Sequence, residues 1–360
     1  MNDAVIVAAR RTPTGKREGM LSGIHPADLS ALVIEDIVST TGIDPNLIDD
    51  VIWGCVTQAG EQTGDIARTA ALSAGLPESV TGVTVDRQCG SSQQALHFAA
   101  AGVASGQYDI AIAGGVESMS RNPMFSSSMG KSPYGTKFKD RYQGDDPNQG
   151  IGAEMIAEKW GFSRTELDEF AVRSHELAAA ATDAGAFESQ IIPVETENGT
   201  VSVDEGIRRG GSVEKLAKLQ TVFKEDGVIH AGNASQISDG SAAMLVMSSQ
   251  RAKELGLTPL VRVHTAVLAG ADPIMMLTAP IPATEKALKK SGLSINDIGT
   301  FEINEAFAPV PLAWLKETGA NPDLLNPHGG AIALGHPLGG SGARLMSTMI
   351  HNMVNNNIKY

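Results

Sequence analysis

The second half of this chain repeats a pattern found in the first half. Asn46–Gly54 reads N-L-I-D-D-V-I-W-G, and Ser294–Ile303 reads S-I-N-D-I-G-T-F-E-I. In each stretch a short acidic turn leads into a strand-like apolar run. A chain with such a repeat is expected to fold into two similar units that face each other across a shared cleft.

Short apolar runs alternate with longer amphipathic or alanine-rich runs, which predicts an α/β protein. The predicted strands of the first unit are Ala4–Ala8, Val51–Gly54, Val83–Val85 and Ile110–Ala113. The predicted helices are Ala27–Thr40, Asp65–Ala74, Gly152–Lys159 and Thr165–Asp183. The last of these starts within Ser163-Arg164-Thr165-Glu166, which is a capping-box pattern.

The region 120–228 differs from the rest of the chain. Its first part, Ser120–Gln149, is rich in Ser, Gly, Pro, Lys and Asp and has little periodicity. We interpret 120–228 as an inserted loop domain. The predicted division is therefore 1–119 plus 229–255 for the first half, 120–228 for the loop domain, and 256–360 for the second half.

Charge and cysteine content exclude several classes of function. A net charge of −13 argues against binding to nucleic acid or to an anionic membrane. Two cysteines cannot build a disulfide framework, which fits a reducing compartment. No apolar run is long enough to span a membrane, no signal peptide is recognised, and no metal-ligand spacing occurs. We therefore expect a cytoplasmic protein without a bound metal.

A glycine-rich stretch near the end of the chain surrounds one histidine. Asn326–Gly342 contains six glycines around His336, and a helix-like segment, Ala343–Val354, follows it. Pro337 favours extended geometry at His336 and suits the first turn of a helix. A lone histidine is more often structural. On a tight loop beside helix-end N–H groups, His336 is better suited to be a catalytic base.

One cysteine lies in a comparable position in the first half. The run Val83–Val85 leads through Asp86-Arg87-Gln88 to Cys89, and a helical segment, Ser91–Ser105, follows. The helix N-terminus is expected to lower the pKa of the Cys89 thiol, with help from Arg87. A buried, inert cysteine is the alternative. Together with a distant histidine, Cys89 fits a nucleophile and its base.

From Ala4 onwards, nearly the whole chain resembles the thiolase family. The Cys89 segment is similar to the family's nucleophile motif, and Gly232–Gly240 to the loop that lines the pantetheine channel. Asn304–Ala308 matches the N-E-A-F motif and Gly335–Pro337 the G-H-P motif. The resemblance implies two βαβαβαββ halves stacked in a five-layer αβαβα arrangement, with the inserted loop domain covering the active site and holding coenzyme A (CoA).

The resemblance also implies a reaction and a set of site residues. Cys89 would attack the keto carbon of a 3-ketoacyl-CoA and keep the shortened acyl group until a second CoA removes it. His336 would take the Cys89 proton and, with a water held by Asn304, form an oxyanion hole. Arg208 would lie near the CoA nucleotide and Ser235 near pantetheine. CoA and acyl-CoA are substrates, no permanent cofactor is implied, and a homodimer or homotetramer is expected.

Two departures from the family pattern concern the substrate. Gln149–Gly152 replaces the H-M-G of acetoacetyl-specific members, and Met276–Pro280 replaces a more glycine-rich lid. Both favour a longer or bulkier acyl group. A basic patch for CoA is expected at Arg208, Arg209, Lys215 and Lys218, although a solvated charged face explains these residues equally well.

The internal repeat also predicts a difference between the halves. In the first half a buried strand, Tyr108–Ala113, follows the helix after Cys89; in the second half the sequence reaches Tyr360 without one. The resemblance places a second catalytic cysteine there, in a C-x-G-G-G loop. We therefore expect a truncated second half with an uncovered sheet edge and no thiolysis. The alternatives are a non-catalytic or partly catalytic CoA-thioester-binding protein and a ketosynthase relative, which the N-E-A-F and G-H-P motifs disfavour.

Overall fold

The computed structural model describes residues 3–360 and is organised around one large mixed sheet. The strands in chain order are β1 (Val5–Arg11), β2 (Gly15–Lys16), β3 (Asp50–Gly54), β4 (Thr81–Val85), β5 (Ile110–Ser118), β6 (Val194–Thr196), β7 (Gly199–Val201), β8 (Ser238–Met247) and β9 (Val261–Arg262). All four strands predicted from the sequence are confirmed, each slightly longer or shifted at its ends.

The order of the large sheet is β4-β3-β5-β8-β1-β9, with β2 paired to β8. Strand β3 runs parallel to β4 and β5, whereas β8 runs antiparallel to β5 and β1. Every residue of β5 and β8 is buried, because these two strands form the middle of the sheet. Strand β4 is an edge, and its side chains are half-buried or exposed.

Twelve helices surround the sheet or join its strands within the described residues. They are α1 (Pro26–Thr41), α2 (Ile66–Ser73), α3 (Ser91–Ser105), α4 (Thr136–Arg141), α5 (Gln149–Trp160), α6 (Arg164–Asp183), α7 (Val213–Leu216), α8 (Ser249–Glu254), α9 (Pro280–Ser291), α10 (Pro309–Thr318), α11 (Ala331–Leu334) and α12 (Ser341–Asn355). The predicted helices are confirmed, and Ser163 and Glu166 form the expected capping box of α6.

Helices α3 and α12 pack against each other on one face of the sheet. Their buried side chains, including Leu96, Ala99 and Ile350, share one apolar cluster with Ile6 and Met244 of the sheet. Small residues on α3 allow this close packing, since alanine and glycine keep the helix surface flat. Each of the two helices follows directly after one of the predicted catalytic loops.

The region 120–228 packs mainly against the second half of the chain. Side chains of α5 and α6, such as Ile156 and Phe170, share an apolar cluster with Phe301, Phe307 and Trp314. A short antiparallel hairpin, β6–β7, completes this region. The inserted segment therefore lies over the part of the molecule that carries the N-E-A-F motif.

The second half forms much less sheet than the repeat predicted. Between 256 and 360 the described strand is β9, which pairs with β1 of the large sheet, and a single parallel bridge joins Phe301 to Leu325. Because the described residues of the second half form no sheet of their own, the expectation of an uncovered sheet edge there stays a prediction.

Within residues 3–360, no helix is both long enough and apolar enough to cross a membrane.

Candidate active site

Cys89 lies in a tight turn between β4 and α3. The turn is closed by side chains: Asp86 Oδ1 accepts from the Gln88 N–H at 2.7 Å, and Ser91 Oγ accepts from the Arg87 N–H at 2.9 Å. Ser91 Oγ also donates to the Gln88 carbonyl at 2.6 Å. Gln88 has φ 48°, a left-handed conformation that is costly for a residue with a Cβ. Strain of this kind clusters at functional sites.

The pKa of Cys89 moves in the direction opposite to the one expected from the sequence. Burial is the main cause that raises the pKa of the Cys89 thiol to about 11, and the carboxylates of Glu117 and Asp86 contribute to this rise. A hydrogen bond from the backbone of Cys89 itself acts the other way without offsetting burial. The prediction of a lowered pKa is therefore wrong, and the resting residue is a neutral thiol.

His336 is buried, and each of its ring nitrogens has a partner. Nδ1 lies 2.5 Å from Ser341 Oγ, and Nε2 lies 3.3 Å from Asn304 Nδ2. The His336 backbone N–H donates to Ser238 Oγ at 3.0 Å. Burial, with a smaller contribution from the Arg344 cation, lowers the pKa of His336 to about 3. The imidazole is therefore neutral.

Asn304 is held in place through its two neighbours. The buried side chain of Asn326 accepts from the Ile303 N–H and donates to the Ile303 carbonyl, both at 2.9 Å. It also donates to the Glu305 carboxylate at 2.9 Å, and Ser174 Oγ donates to the same carboxylate at 2.6 Å. The backbone on either side of Asn304 is thus fixed by side-chain hydrogen bonds rather than by a strand ladder.

Glu117, at the end of β5, connects the two halves of the site. Its buried carboxylate accepts from the N–H groups of Val56 and Thr57 at 2.9 and 3.0 Å. It also accepts from the Gly339 N–H in the His336 loop at 2.8 Å. One carboxylate therefore binds backbone from both halves.

The backbones of the two halves meet without side chains between them. A Cβ placed on Gly54 would lie 2.6 Å from the Gly339 carbonyl oxygen, and one on Gly339 would lie 2.8 Å from the Gly54 carbonyl oxygen. Ser92 Oγ, in the first turn of α3, accepts from the Ala343 N–H of α12 at 2.9 Å. The His336 loop thus abuts the start of the helix that follows Cys89. Among residues 3–360, no hydrogen bond joins the Cys89 thiol to His336.

Ser235 lies beside the segment that carries Asn304. Its backbone N–H donates to the Ala306 carbonyl at 2.9 Å, and the Ala308 N–H donates to the Asn233 carbonyl at 2.9 Å. An antiparallel bridge between Ala234 and Phe307 continues this pairing. The predicted pantetheine loop and the N-E-A-F motif are therefore one local structure.

Arg208 is exposed on the inserted region, and its backbone N–H donates to His175 Nδ1 at 3.1 Å. Two other members of the expected basic patch have internal partners. Arg209 forms an ion pair with Asp183 at 2.6 Å, and Lys215 Nζ donates to the Gly210 carbonyl at 2.8 Å. Within the described chain no carboxylate pairs with the Arg208 guanidinium, which leaves its charge available to an anionic group.

Sequence reasoning missed Glu117, Asn326 and Ser341, because burial and hydrogen bonding of a single polar residue leave no periodic signal. Ser341 does lie inside the glycine-rich stretch, but the sequence gives no sign of its contact with His336. Cys55, the other cysteine of the chain, is fully buried in the core. Among residues 3–360, no group of three or more His, Cys, Asp or Glu side chains is placed to hold a metal ion.

Comparison with known proteins identifies the family. The model of the thiolase N-terminal domain matches residues 4–250, and that of the C-terminal domain matches residues 257–360. The chain is 51% identical over 358 residues to the steroid 3-ketoacyl-CoA thiolase FadA6 of Mycobacterium tuberculosis, an alignment covering 97% of this chain and 88% of that protein. It is 44% identical over 371 residues to a 3-ketoacyl-CoA thiolase of Photobacterium profundum, covering 100% and 95% of the two chains.

The solved structures give the same result. The acetyl-CoA acetyltransferase of Bacillus anthracis superposes with a TM-score of 0.90 at 38% sequence identity, covering 99% of this chain and 94% of that one. The predicted thiolase-like α/β fold is therefore confirmed. Because both family models match and together span almost every residue of a chain that also shares this fold, the protein belongs to the thiolase family.

Proposed function

We propose that this thiolase, an acyl-CoA acyltransferase, works through an acyl group carried on Cys89. In the degradative direction the Cys89 sulfur attacks the keto carbon of a 3-ketoacyl-CoA. The bond to the α-carbon then breaks, and acetyl-CoA leaves once its α-carbon has gained a proton from a second acid. The conjugate base of that acid then takes the proton of another CoA thiol, whose sulfur attacks the Cys89 thioester. The shortened acyl-CoA is released, and the Cys89 sulfur recovers its proton from His336.

The observation that carries this proposal is the abutment of the His336 loop on the start of α3. This contact supports a site in which the His336–Asn304 pair acts on Cys89. With the thiol pKa at about 11 and the imidazole pKa at about 3, a separated thiolate and imidazolium are costly at rest. Proton transfer from Cys89 to His336 is therefore expected to accompany carbon–sulfur bond formation.

After that transfer, the protonated Nε2 of His336 becomes a hydrogen-bond donor. Together with a water held by Asn304, it would stabilise the oxyanion of the thioester enolate. Asn304 Oδ1 is buried without a hydrogen-bond partner within the described chain, so it is free to accept from such a water. This supports a role for Asn304 in positioning water.

We assign the CoA contacts to Ser235 and Arg208. Ser235 lies next to the Asn304 segment, where the pantetheine arm would approach Cys89. Arg208 offers an exposed cation for the nucleotide phosphates. The region 120–228, which carries Arg208 and packs over the second half, would hold the nucleotide end of CoA. The protein as a whole remains acidic, so CoA is expected to depend on this local charge.

For the acyl group we propose a preference for long or bulky chains over acetoacetyl-CoA. The support is the replacement of the H-M-G motif at Gln149–Gly152 and of a more glycine-rich lid at Met276–Pro280. A relative with 51% identity is named as a steroid 3-ketoacyl-CoA thiolase. The measurement is kcat/KM for a series of 3-ketoacyl-CoA esters; a maximum at acetoacetyl-CoA would contradict the proposal.

A homodimer or homotetramer is part of the proposal. Strand β4 lies at the edge of the large sheet, and Val83 in its middle is 44% exposed. An edge strand with exposed apolar residues is a natural site for pairing with a second copy. We further propose a cytoplasmic location, because a nucleophilic cysteine needs a reducing compartment and both cysteines are free.

The test of the acyl-enzyme is mass spectrometry of the protein after incubation with an acyl-CoA. We expect one acyl adduct, mapped to Cys89 and lost in Cys89→Ala. Cys55→Ala is the matched control, because it removes the other thiol and should leave the adduct intact. An adduct on Cys55 would refute the assignment. Binding of CoA without any adduct would favour a non-catalytic CoA-thioester-binding protein.

A further inference from the structure

The hydroxyl of Ser341 contacts His336 at Nδ1, the ring nitrogen that does not face Asn304. Ser341 is fully buried in the first turn of α12, and its Oγ lies 2.5 Å from His336 Nδ1. We infer that Ser341 is a positioning residue: it fixes His336 in the tautomer whose proton is on Nδ1, so that Nε2 is always the basic nitrogen. This inference rests on the proposed role of His336 as the base for Cys89.

The hydroxyl of Ser341 has a single proton, which determines whether it donates or accepts in its hydrogen bond with His336. Ser341 Oγ also lies 2.8 Å from the carbonyl oxygen of Pro337, one helical turn back. A carbonyl oxygen cannot donate, so the single hydroxyl proton of Ser341 belongs to that contact. The short contact with His336 must then be made by a proton on Nδ1, which donates to Ser341 Oγ. Nε2 is left with a lone pair.

The other neighbour of His336, Asn304, cannot select between the two tautomers of the imidazole. The Asn304 amide has a donor end, Nδ2, which lies 3.3 Å from Nε2, and an acceptor end, Oδ1, which has no partner within the described chain. If Nε2 carried the proton, a half-turn of the amide would let Oδ1 accept it. Asn304 can therefore satisfy either tautomer, and Ser341 selects the one in which Nε2 is unprotonated.

The partner of Nδ1 is a hydroxyl and not a carboxylate. A carboxylate would stabilise the imidazolium and hold the proton on His336, as an aspartate does in other catalytic dyads. Here the charged group that faces His336 is the Arg344 cation, which is buried and disfavours the imidazolium. Ser341 thus orients the ring without adding negative charge, which suits a base that must return its proton in every cycle.

The experiment compares three variants by two measurements that do not require thiolysis. Ser341→Ala removes the acceptor, Ser341→Thr keeps a hydroxyl, and Ser347→Ala is the matched control. Ser347 is also fully buried on α12, but its Oγ has no hydrogen-bond partner within the described residues. The first measurement is the rate of Cys89 alkylation by iodoacetamide. The second is the ¹⁵N shift of His336, assigned by its loss in His336→Gln.

We expect Ser341→Ala to slow alkylation about tenfold, the size expected when a single neutral hydrogen bond biases two tautomers. Its ¹⁵N spectrum should show a proton shared between the two ring nitrogens. Ser341→Thr should restore both readouts, and Ser347→Ala should change neither. A Ser341→Ala spectrum with the proton still confined to Nδ1 would overturn the inference. A wild-type protein that never acylates Cys89 would instead refute the proposed function.

Discussion

The two halves of this molecule share a chain plan but differ in how they support their catalytic loop. Helices α3 and α12 are both 15 residues long, and each starts just after a catalytic loop. Yet α1, which precedes the first copy of the repeat, buries eight residues, whereas α9, which precedes the second copy, buries none. A repeated sequence pattern therefore gives a repeated structure only where neighbouring strands are present to cover it.

The difference extends to the site itself. The turn that carries Cys89 follows strand β4, whose ladder with β3 fixes the backbone. Asn304 follows a segment that has a single bridge, and the side chains of Asn326 and Glu305 hold it instead. In the first half, backbone pairing places the reacting group. In the second half, buried polar side chains place the reacting group.

Hydrogen exchange should show the largest contrast between the halves. Amides in the middle of β8, such as Leu245, should be protected at least about a thousandfold more than the amide of Phe301, because β8 is paired on both sides. The measurement is amide exchange followed by mass spectrometry or NMR. Equal protection at the two places would mean that the second half is as firmly built as the first.

Matched truncations should show the next largest contrast. Leu29→Ala in α1 should lower the free energy of unfolding by about 3 kcal/mol, because Leu29 is fully buried in the core. Leu288→Ala in α9 should lower it by less than about 1 kcal/mol, since that side chain is only half-buried. Denaturant unfolding of both variants makes the comparison, and equal losses would contradict it.

Asn326→Ala tests the side-chain support of the second half. The substitution removes the side-chain partner of the Ile303 N–H and carbonyl and one of the donors to the Glu305 carboxylate, which should cost about 2 kcal/mol and slow Cys89 acylation about thirtyfold. Asn321→Ala is the control. That asparagine also bonds backbone, accepting from the Asp323 N–H, but it is exposed and remote from the site. Similar rates for both variants would show that Asn326 does not position Asn304.

The smallest effect concerns alkaline pH. The Cys89 pKa is raised from 9.0 in the unfolded chain to about 11 in the folded protein, so the unfolded chain loses its proton first as pH rises. The stability that this group contributes is fully present below pH 9 and is lost between pH 9 and 11. At pH 10 the loss is about 1 kcal/mol. Burial also raises the pKa of the Cys55 thiol, so that group loses stability in both proteins. Urea unfolding at pH 8 and 10 should therefore show a loss that is about 1 kcal/mol larger in the wild type than in Cys89→Ala.

The sequence was sufficient wherever a local pattern determines the structure. Strand and helix positions in the first half followed from periodicity, and the pairing of His336 with Asn304 followed from two motifs. The pKa direction of Cys89 failed because a helix N-terminus is a local feature, whereas burial and the Glu117 carboxylate arise from packing. The scarcity of strands in residues 256–360 was not predicted for a similar reason, since strand pairing depends on distant segments.

The contact between Gly54 and Gly339 fixes the separation of the catalytic loops by hard-sphere exclusion. An attraction between charges weakens with salt and shifts with pH, whereas two backbones in contact can only be pushed apart. The distance between Cys89 and His336 should therefore be insensitive to ionic strength. An added methyl group at either glycine would act as a spacer, widening the gap across which the proton must travel while leaving every reacting group chemically intact.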